Sequence, residues 1–156
     1  MSHLEALTVA YAITTVQPFF GGGKKEIVKR PKVYGFDTGF VTLIKCCNEI
    51  RESDRVLLWE HLVLDMLRVS YGSVYYWTDK ERNEIDFIVK GRGSEIHTIE
   101  CKINPDKYSD RAVRKFRMYY PEGKNYCFSP HVQNPYKIRI NGTEVSVLSD
   151  ADDHGI

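Results

Sequence analysis

The clearest pattern in the chain is a run of helical and alternating periodicities between residues 54 and 148. Residues 54–70 carry Val56, Leu57, Val63, Leu64 and Leu67 at helical spacing. Asp54, His61, Asp65 and Arg68 form a polar stripe on the opposite side of that predicted helix. Glu60 breaks the pattern: it falls between Leu57 and Leu64, on the apolar flank. A carboxylate placed there needs a partner, because unpaired burial costs several kcal/mol or shifts its pKa.

Strands come next. Residues 74–78 are aromatic and β-rich, and residues 84–90 and 96–102 alternate apolar and polar positions around a Gly91-Arg92-Gly93-Ser94 turn. Residues 107–120 read as a basic amphipathic helix ended by Pro121, and residues 125–129 as a short apolar strand. Residues 136–140 and 143–148 flank Asn141-Gly142, a type I′ hairpin signal. Towards the N-terminus the pattern is weaker. It gives a helix over residues 4–11, a strand over 11–16, a turn from Pro18 to Gly23, a return strand over 26–28, and a short helix near 38–46. This N-terminal segment has too few apolar residues for a domain of its own. Either it is the tail of a longer protein or it packs on the remainder of the chain.

A length of 156 residues suits one domain, with 42% hydrophobic and 28% charged residues, as expected of a folded soluble protein. No apolar run reaches the roughly 18–20 residues of a membrane span, and residues 1–10 lack the features of a signal peptide. Cys46, Cys47, Cys101 and Cys127 form no CxxC pair, so a reduced, cytoplasmic setting is expected and a zinc finger is not. The formal net charge of +1 excludes a histone-like polycation. It conceals opposing blocks, however. Residues 24–32 hold five basic residues against one acid, and residues 102–124 hold seven against three, while residues 149–156 form an acidic tail. Lys107, Arg111, Arg114 and Lys115 recur at helical spacing, which is either a solvated face or a phosphate-contacting one.

The chemistry-bearing segment is Glu84-Ile85-Asp86-Phe87-Ile88-Val89 followed by Ile99-Glu100-Cys101-Lys102. Alternation puts Ile85, Phe87 and Val89 on one face with Ile99 and Cys101, and turns Asp86, Glu100 and Lys102 the other way. If the turn pairs Lys90 with Ile96, Asp86 faces Glu100. Directly opposed side chains have Cβ atoms about 4.5–5.5 Å apart. Two carboxylates that close repel unless a cation lies between them, and hard oxygen ligands suit Mg²⁺ or Mn²⁺. Lys102 reaches the same site, where it can orient a water or stabilise a phosphate. Glu60 can supply a further carboxylate.

A helix Glu60, then Asp86, then Glu100-Cys101-Lys102 on consecutive strands resembles the PD-(D/E)XK nuclease superfamily, although Ile85 stands where a Pro is usual. A resemblance covering more of the chain involves Pro31 to Gly39, Trp59 to Val63, Tyr75-Tyr76-Trp77 and Glu84 to Phe87. These segments are similar to the C-terminal region of archaeal and bacterial AAA+ ATPases, in which a nuclease-like domain follows an ATPase and a winged helix.

The resemblance implies an α/β, restriction-endonuclease-like fold: a mixed central sheet flanked by helices, with an αβββαβ core. Residues 1–32 would be a partial winged helix with a basic linker, residues 33–149 the nuclease-like domain, and residues 150–156 the acidic tail. It implies a Mg²⁺-dependent phosphodiesterase acting on DNA, with catalytic Glu60, Asp86, Glu100 and Lys102, of which Asp86 and Glu100 hold the metal. Lys107, Arg111, Arg114 and Lys115 would then contact nucleic acid. A non-catalytic DNA-binding or protein-docking module is the competing reading. Gly21-Gly22-Gly23-Lys24-Lys25 lacks the spacing of a P-loop, so an ATPase module would lie elsewhere, in the same or another chain. A homodimer formed through the N-terminal segment is a further expectation.

Overall fold

Local alternation and helical periodicity are realised in a computed structural model that describes residues 3–21, 30–39 and 51–149. The elements in order are α1 (His3–Val9), β1 (Ile13–Pro18), β2 (Lys32–Gly35), α2 (Glu52–Tyr71), β3 (Tyr75–Thr78), β4 (Glu84–Lys90) and β5 (Ile96–Cys101). After them come a 3-10 turn (Pro105–Lys107), α3 (Arg111–Arg117), β6 (Asn125–Phe128), β7 (Tyr136–Ile140) and β8 (Thr143–Leu148). The strands form one mixed sheet in the order β2-β1-β3-β4-β5-β6-β8-β7. The β1–β2, β3–β4, β4–β5 and β7–β8 pairs are antiparallel, whereas β1–β3, β5–β6 and β6–β8 are parallel.

Helices cover both faces of this mixed α/β arrangement. α2 packs Val63, Leu64 and Leu67 against Phe87, Val89 and Ile99. α3 packs Val113 and Phe116 against Ile85, Ile88 and Val147 on the other face. Each such side chain contributes roughly 1.5–3 kcal/mol when fully buried. Gly72, at φ 71°, terminates α2 and donates its N–H to the Arg68 carbonyl. Among the described residues, no helix is long and apolar enough to cross a membrane. Cys101 and Cys127 are buried free thiols.

Three expectations need correction. First, His61 is not on a solvent-facing stripe: it is only 4% exposed and lies beneath the Tyr34 ring. Val56 and Leu57, expected inside, are 38% and 50% exposed. The buried residues of α2 are His61, Val63, Leu64 and Leu67, and Tyr34 of β2 packs against His61 there, a long-range contact that helical periodicity does not encode. Second, the basic helix is shorter than residues 107–120. Asn104 caps the 3-10 turn by accepting from the Asp106 N–H, and Tyr108 is extended, so Lys107 precedes α3 and is not part of it. Third, Ile85 does not share a face with Phe87. The register of β3 shifts between Tyr75↔Ile88 and Trp77↔Ile85, which inserts an extra residue into β4. This β-bulge reverses the alternation at the position of Asp86, and bulges commonly re-aim a side chain.

The N-terminal segment packs on the central strands and helices. β1 pairs with β3, and Val16 and Phe19 are buried in the two cores. The return strand expected at 26–28, most of the basic run 24–32, the helix near 38–46 beyond Gly39, Cys46, Cys47 and the tail at 150–156 lie outside the described residues. The Asn141-Gly142 hairpin is as expected, with φ of 47° and 86° at its two central residues.

Candidate functional site

The ladder between β4 and β5 adopts the register read from the turn: Lys90↔Ile96, Ile88↔Thr98 and Phe87↔Ile99. Continued by one step, that register would set Asp86 across from Glu100. There the regular ladder gives way, and the Cys101 N–H donates to Asp86 Oδ2 at 2.8 Å. Glu100 is buried at 6% exposure. Lys102 Nζ lies 2.8 Å from Glu100 Oε2 and 3.8 Å from Asp86 Oδ2, so one ammonium serves both acids. Asp86, Glu100 and Lys102 thus lie together, with the ammonium against both acids.

Burial pushes the Glu100 carboxyl up to about 8, and the neighbouring Asp86 adds to the rise while Lys102 opposes it. Burial works against the charge on Lys102, but Asp86 and Glu100 outweigh it and raise its pKa.

Glu60 finds the partners that its apolar flank demands. Tyr34 donates its hydroxyl to Glu60 Oε1, and Lys32 Nζ lies 3.4 Å from the same oxygen. Lys32 also pairs with Glu84 Oε1 at 2.7 Å and sits 5.4 Å from the centre of the Tyr76 ring. Burial opposes the Lys32 charge, yet Glu60, Glu84 and Asp86 together raise its pKa. Burial raises the Tyr34 pKa as well, reinforced by Glu60 and then Asp86. Asp86 therefore lies within the electrostatic reach of both clusters, and the site holds four carboxyls against two ammonium groups.

Lys32, Tyr34 and Glu84 were not among the residues singled out by sequence. A signal existed for the first two. They are two apart in an extended segment and so share a face, but the surrounding basic run reads as linker.

Among the described residues, no three His, Cys, Asp or Glu side chains are close enough to form a complete metal cage. The Asp86–Glu100 pair nevertheless suits a hard cation. Mg²⁺ keeps several of its waters and is commonly held by one or two carboxylates plus substrate phosphate. A thiolate metal is a poor fit, since burial raises the Cys101 thiol well above its ordinary range. On the α3 side, the Tyr108 hydroxyl is buried with no hydrogen-bond partner among the described residues, and its pKa is raised by burial and then by Glu100. An orphaned donor within the electrostatic reach of Glu100 is what a site completed by water or ligand would leave.

The four basic residues are all engaged with acids of the same chain. Lys107 lies 3.9 Å from Glu52, Arg111 3.9 Å from Glu81, and Arg114 2.9 Å from the buried Asp110. Lys115 pairs with Asp79 at 3.4 Å and also with Glu81. Exposed pairs of this kind contribute about 0–1 kcal/mol each, so they do not prevent exchange onto phosphates.

No curated protein matches the sequence. Among solved structures, the chain is similar to one in the refined half-complex from the tetradecameric assembly of Thermococcus gammatolerans McrB AAA+ hexamers with bound McrC. The likeness has a TM-score of 0.39 and 12% sequence identity, and covers 65% of this chain. This chain spans only 29% of the length of that neighbour. A family model, described as a domain of unknown function, matches residues 57–147, more than half of the chain and the stretch that holds Glu60, Asp86, Glu100 and Lys102. The chain belongs to the DUF4143 family.

Proposed function

We propose that the domain is a Mg²⁺-dependent phosphodiesterase acting on DNA, of PD-(D/E)XK type. The observation that carries this reading is the cluster of Asp86 and Glu100 just beyond the β4–β5 ladder, with Lys102 against both. The succession α2-β3-β4-β5-α3-β6 supports it, since it has the helix and strand order of the αβββαβ core. Asp86 and Glu100 would hold the cation. When bound, the metal polarises the scissile phosphate and lowers the pKa of a bound water. Lys102 positions the attacking water or stabilises charge on the phosphate, and Glu60 orients the site from α2. The resemblance of Pro31 to Gly39 and Trp59 to Val63 to AAA+ ATPase C-terminal regions supports an ATPase module as partner, in the same or another chain. α1 followed by β1 has the helix-then-strand order expected of a winged-helix remnant over residues 1–32.

A plasmid-nicking assay tests this reading. Wild type should nick with Mg²⁺ or Mn²⁺, and chelator or Lys102→Ala should return the rate to background. Equal background from wild type and Lys102→Ala, with no effect of chelator, rejects the enzyme.

One observation favours a second, non-catalytic reading: Lys102 already lies against both acids and offsets part of their repulsion, as an inherited scaffold that lost its metal would require. The domain would then bind DNA or dock a protein. Salt-sensitive DNA binding through Lys107, Arg111 and Arg114, with no calorimetric Mg²⁺ signal and no turnover, distinguishes it.

A further inference from the structure

The β2 strand lies outside the family-matched stretch, yet it delivers two side chains to the acidic site. Lys32 and Tyr34 stand at alternate positions, paired in register with Val16 and Thr14 of β1. Two strands separate β2 from β4 in the sheet, but Lys32 still reaches Glu84 at the start of β4. Both donors fall on Glu60 Oε1, while Oε2 accepts no hydrogen bond from the described residues. A carboxylate gripped by one oxygen has a fixed orientation and one remaining oxygen to offer. A single donor would leave it free to rotate.

We propose that Lys32 and Tyr34 are positioning residues that fix Glu60 towards the centre formed by Asp86, Glu100 and Lys102, so that the working site is assembled from β2 together with α2, β4 and β5. This rests on the phosphodiesterase reading and extends it. With a cation bound, Glu60 would act at one remove from it, because no three acids among the described residues lie close enough to share a cation directly. Tyr34 supplies a neutral donor that fixes the angle. Lys32 supplies charge, offsetting Glu60 and Glu84 so that a polyanionic substrate meets less repulsion. Partners of this kind typically change metal affinity or activity by about 10–100-fold when removed.

The experiment uses the full chain and the variants Tyr34→Phe, Lys32→Met, Lys32→Arg, Glu60→Gln and Tyr34→Phe/Glu60→Gln. Mn²⁺ affinity is read by calorimetry, cleavage by kcat and KM on plasmid DNA, and folding by the thermal midpoint. Tyr34→Phe keeps the ring against His61 and Phe87 and removes only the hydroxyl. It should weaken Mn²⁺ binding and lower kcat by about tenfold each, with KM and the thermal midpoint unchanged. Lys32→Met should do the same and also raise KM, and Lys32→Arg should restore most of the loss. The double variant should be no worse than Glu60→Gln alone, because Tyr34 acts through Glu60. Wild-type Mn²⁺ affinity and kcat in Tyr34→Phe and Lys32→Met overturn the proposal while leaving the phosphodiesterase reading standing. Losses that merely follow a lowered thermal midpoint overturn it too. A wild type that binds Mn²⁺ without cutting still decides it through the affinity arm. A wild type that does neither removes both the reading and this extension of it.

Discussion

Glu100 shows how far a single position can be stretched between stability and chemistry. Its carboxyl is buried near another acid, and among the described residues the Lys102 ammonium is its one cationic partner. Replacing it by Gln keeps shape and hydrogen bonding and removes the like-charge contact with Asp86. Glu100→Gln should therefore be at least as stable as wild type in urea at pH 8, yet lose Mn²⁺ binding in calorimetry. Sites held in a strained state for function behave this way. His97 is the opposite case, a buried group unconnected with the acidic pair. Its Nδ1 accepts the Lys124 N–H at 3.1 Å, so that nitrogen carries no proton, and Nε2 lies 3.8 Å from Glu95. Burial lowers the His97 pKa below 6.5, Glu95 opposes the shift, and Lys124 and Arg117 add to it. With a depressed folded value, the unfolded chain binds more protons below pH 6.5. The contribution of His97 is thus complete above that pH and is lost as pH falls through the folded value. Urea midpoints at pH 7 and pH 5 should show a smaller acid loss in His97→Gln than in wild type.

The elements differ in how much of them local sequence could reveal. The β4–β5 register and the β7–β8 hairpin are set by nearby turns, and both were legible from Gly91-Arg92-Gly93-Ser94 and Asn141-Gly142. The bulge at Asp86 was not, because it is defined by how β4 meets β3 and not by any residue of β4 alone. The connection from α3 to β6 is also held by something no periodicity announces. Arg117 donates to the carbonyls of Ile96, Tyr120, Glu122 and Lys124 and to Asn125 Oδ1. One guanidinium so joins α3, β5, β6 and the loop between them, and burial lowers its pKa to about 10. In the sequence it is indistinguishable from Arg111 and Arg114. Arg117→Met should cost about 2–4 kcal/mol in urea unfolding, since several half-buried carbonyls lose their donor. Arg117→Lys should recover little, because an ammonium cannot reproduce the planar fork. Arg114→Met, which loses one half-exposed pair with Asp110, should cost less than either.

At the scale of the whole molecule, the question is whether the N-terminal segment is an appendage or a part of the fold. Its sequence leaves this open because the deciding contacts are distant: β1 meets β3 through Gln17↔Tyr75 and Pro18↔Tyr76, a parallel pairing with α2 in between. α1 alone buries no residue, in keeping with its weak apolar pattern. Beyond β1 the picture changes. The Phe19 ring packs at 5.2 Å from Tyr120, 5.8 Å from Tyr75 and 6.0 Å from Phe116, so it joins β3 to α3 on the face away from α2. On the other face, β2 closes over α2 through Tyr34 and grips Glu60. The segment thus clasps both sides of the sheet, and the same strands that stabilise the fold orient the acid. A separable remnant would unfold on its own and leave the main transition in place when its anchor is removed. An integral one cannot. Phe19→Ala should therefore lower the stability of the single cooperative transition by about 3–5 kcal/mol, the range for a buried aromatic, with near-ultraviolet and far-ultraviolet circular dichroism moving together. If the far-ultraviolet midpoint stays at its wild-type value while only a small early transition moves, β1 and the residues after it are an attachment, and the site must be sought in the family-matched stretch alone.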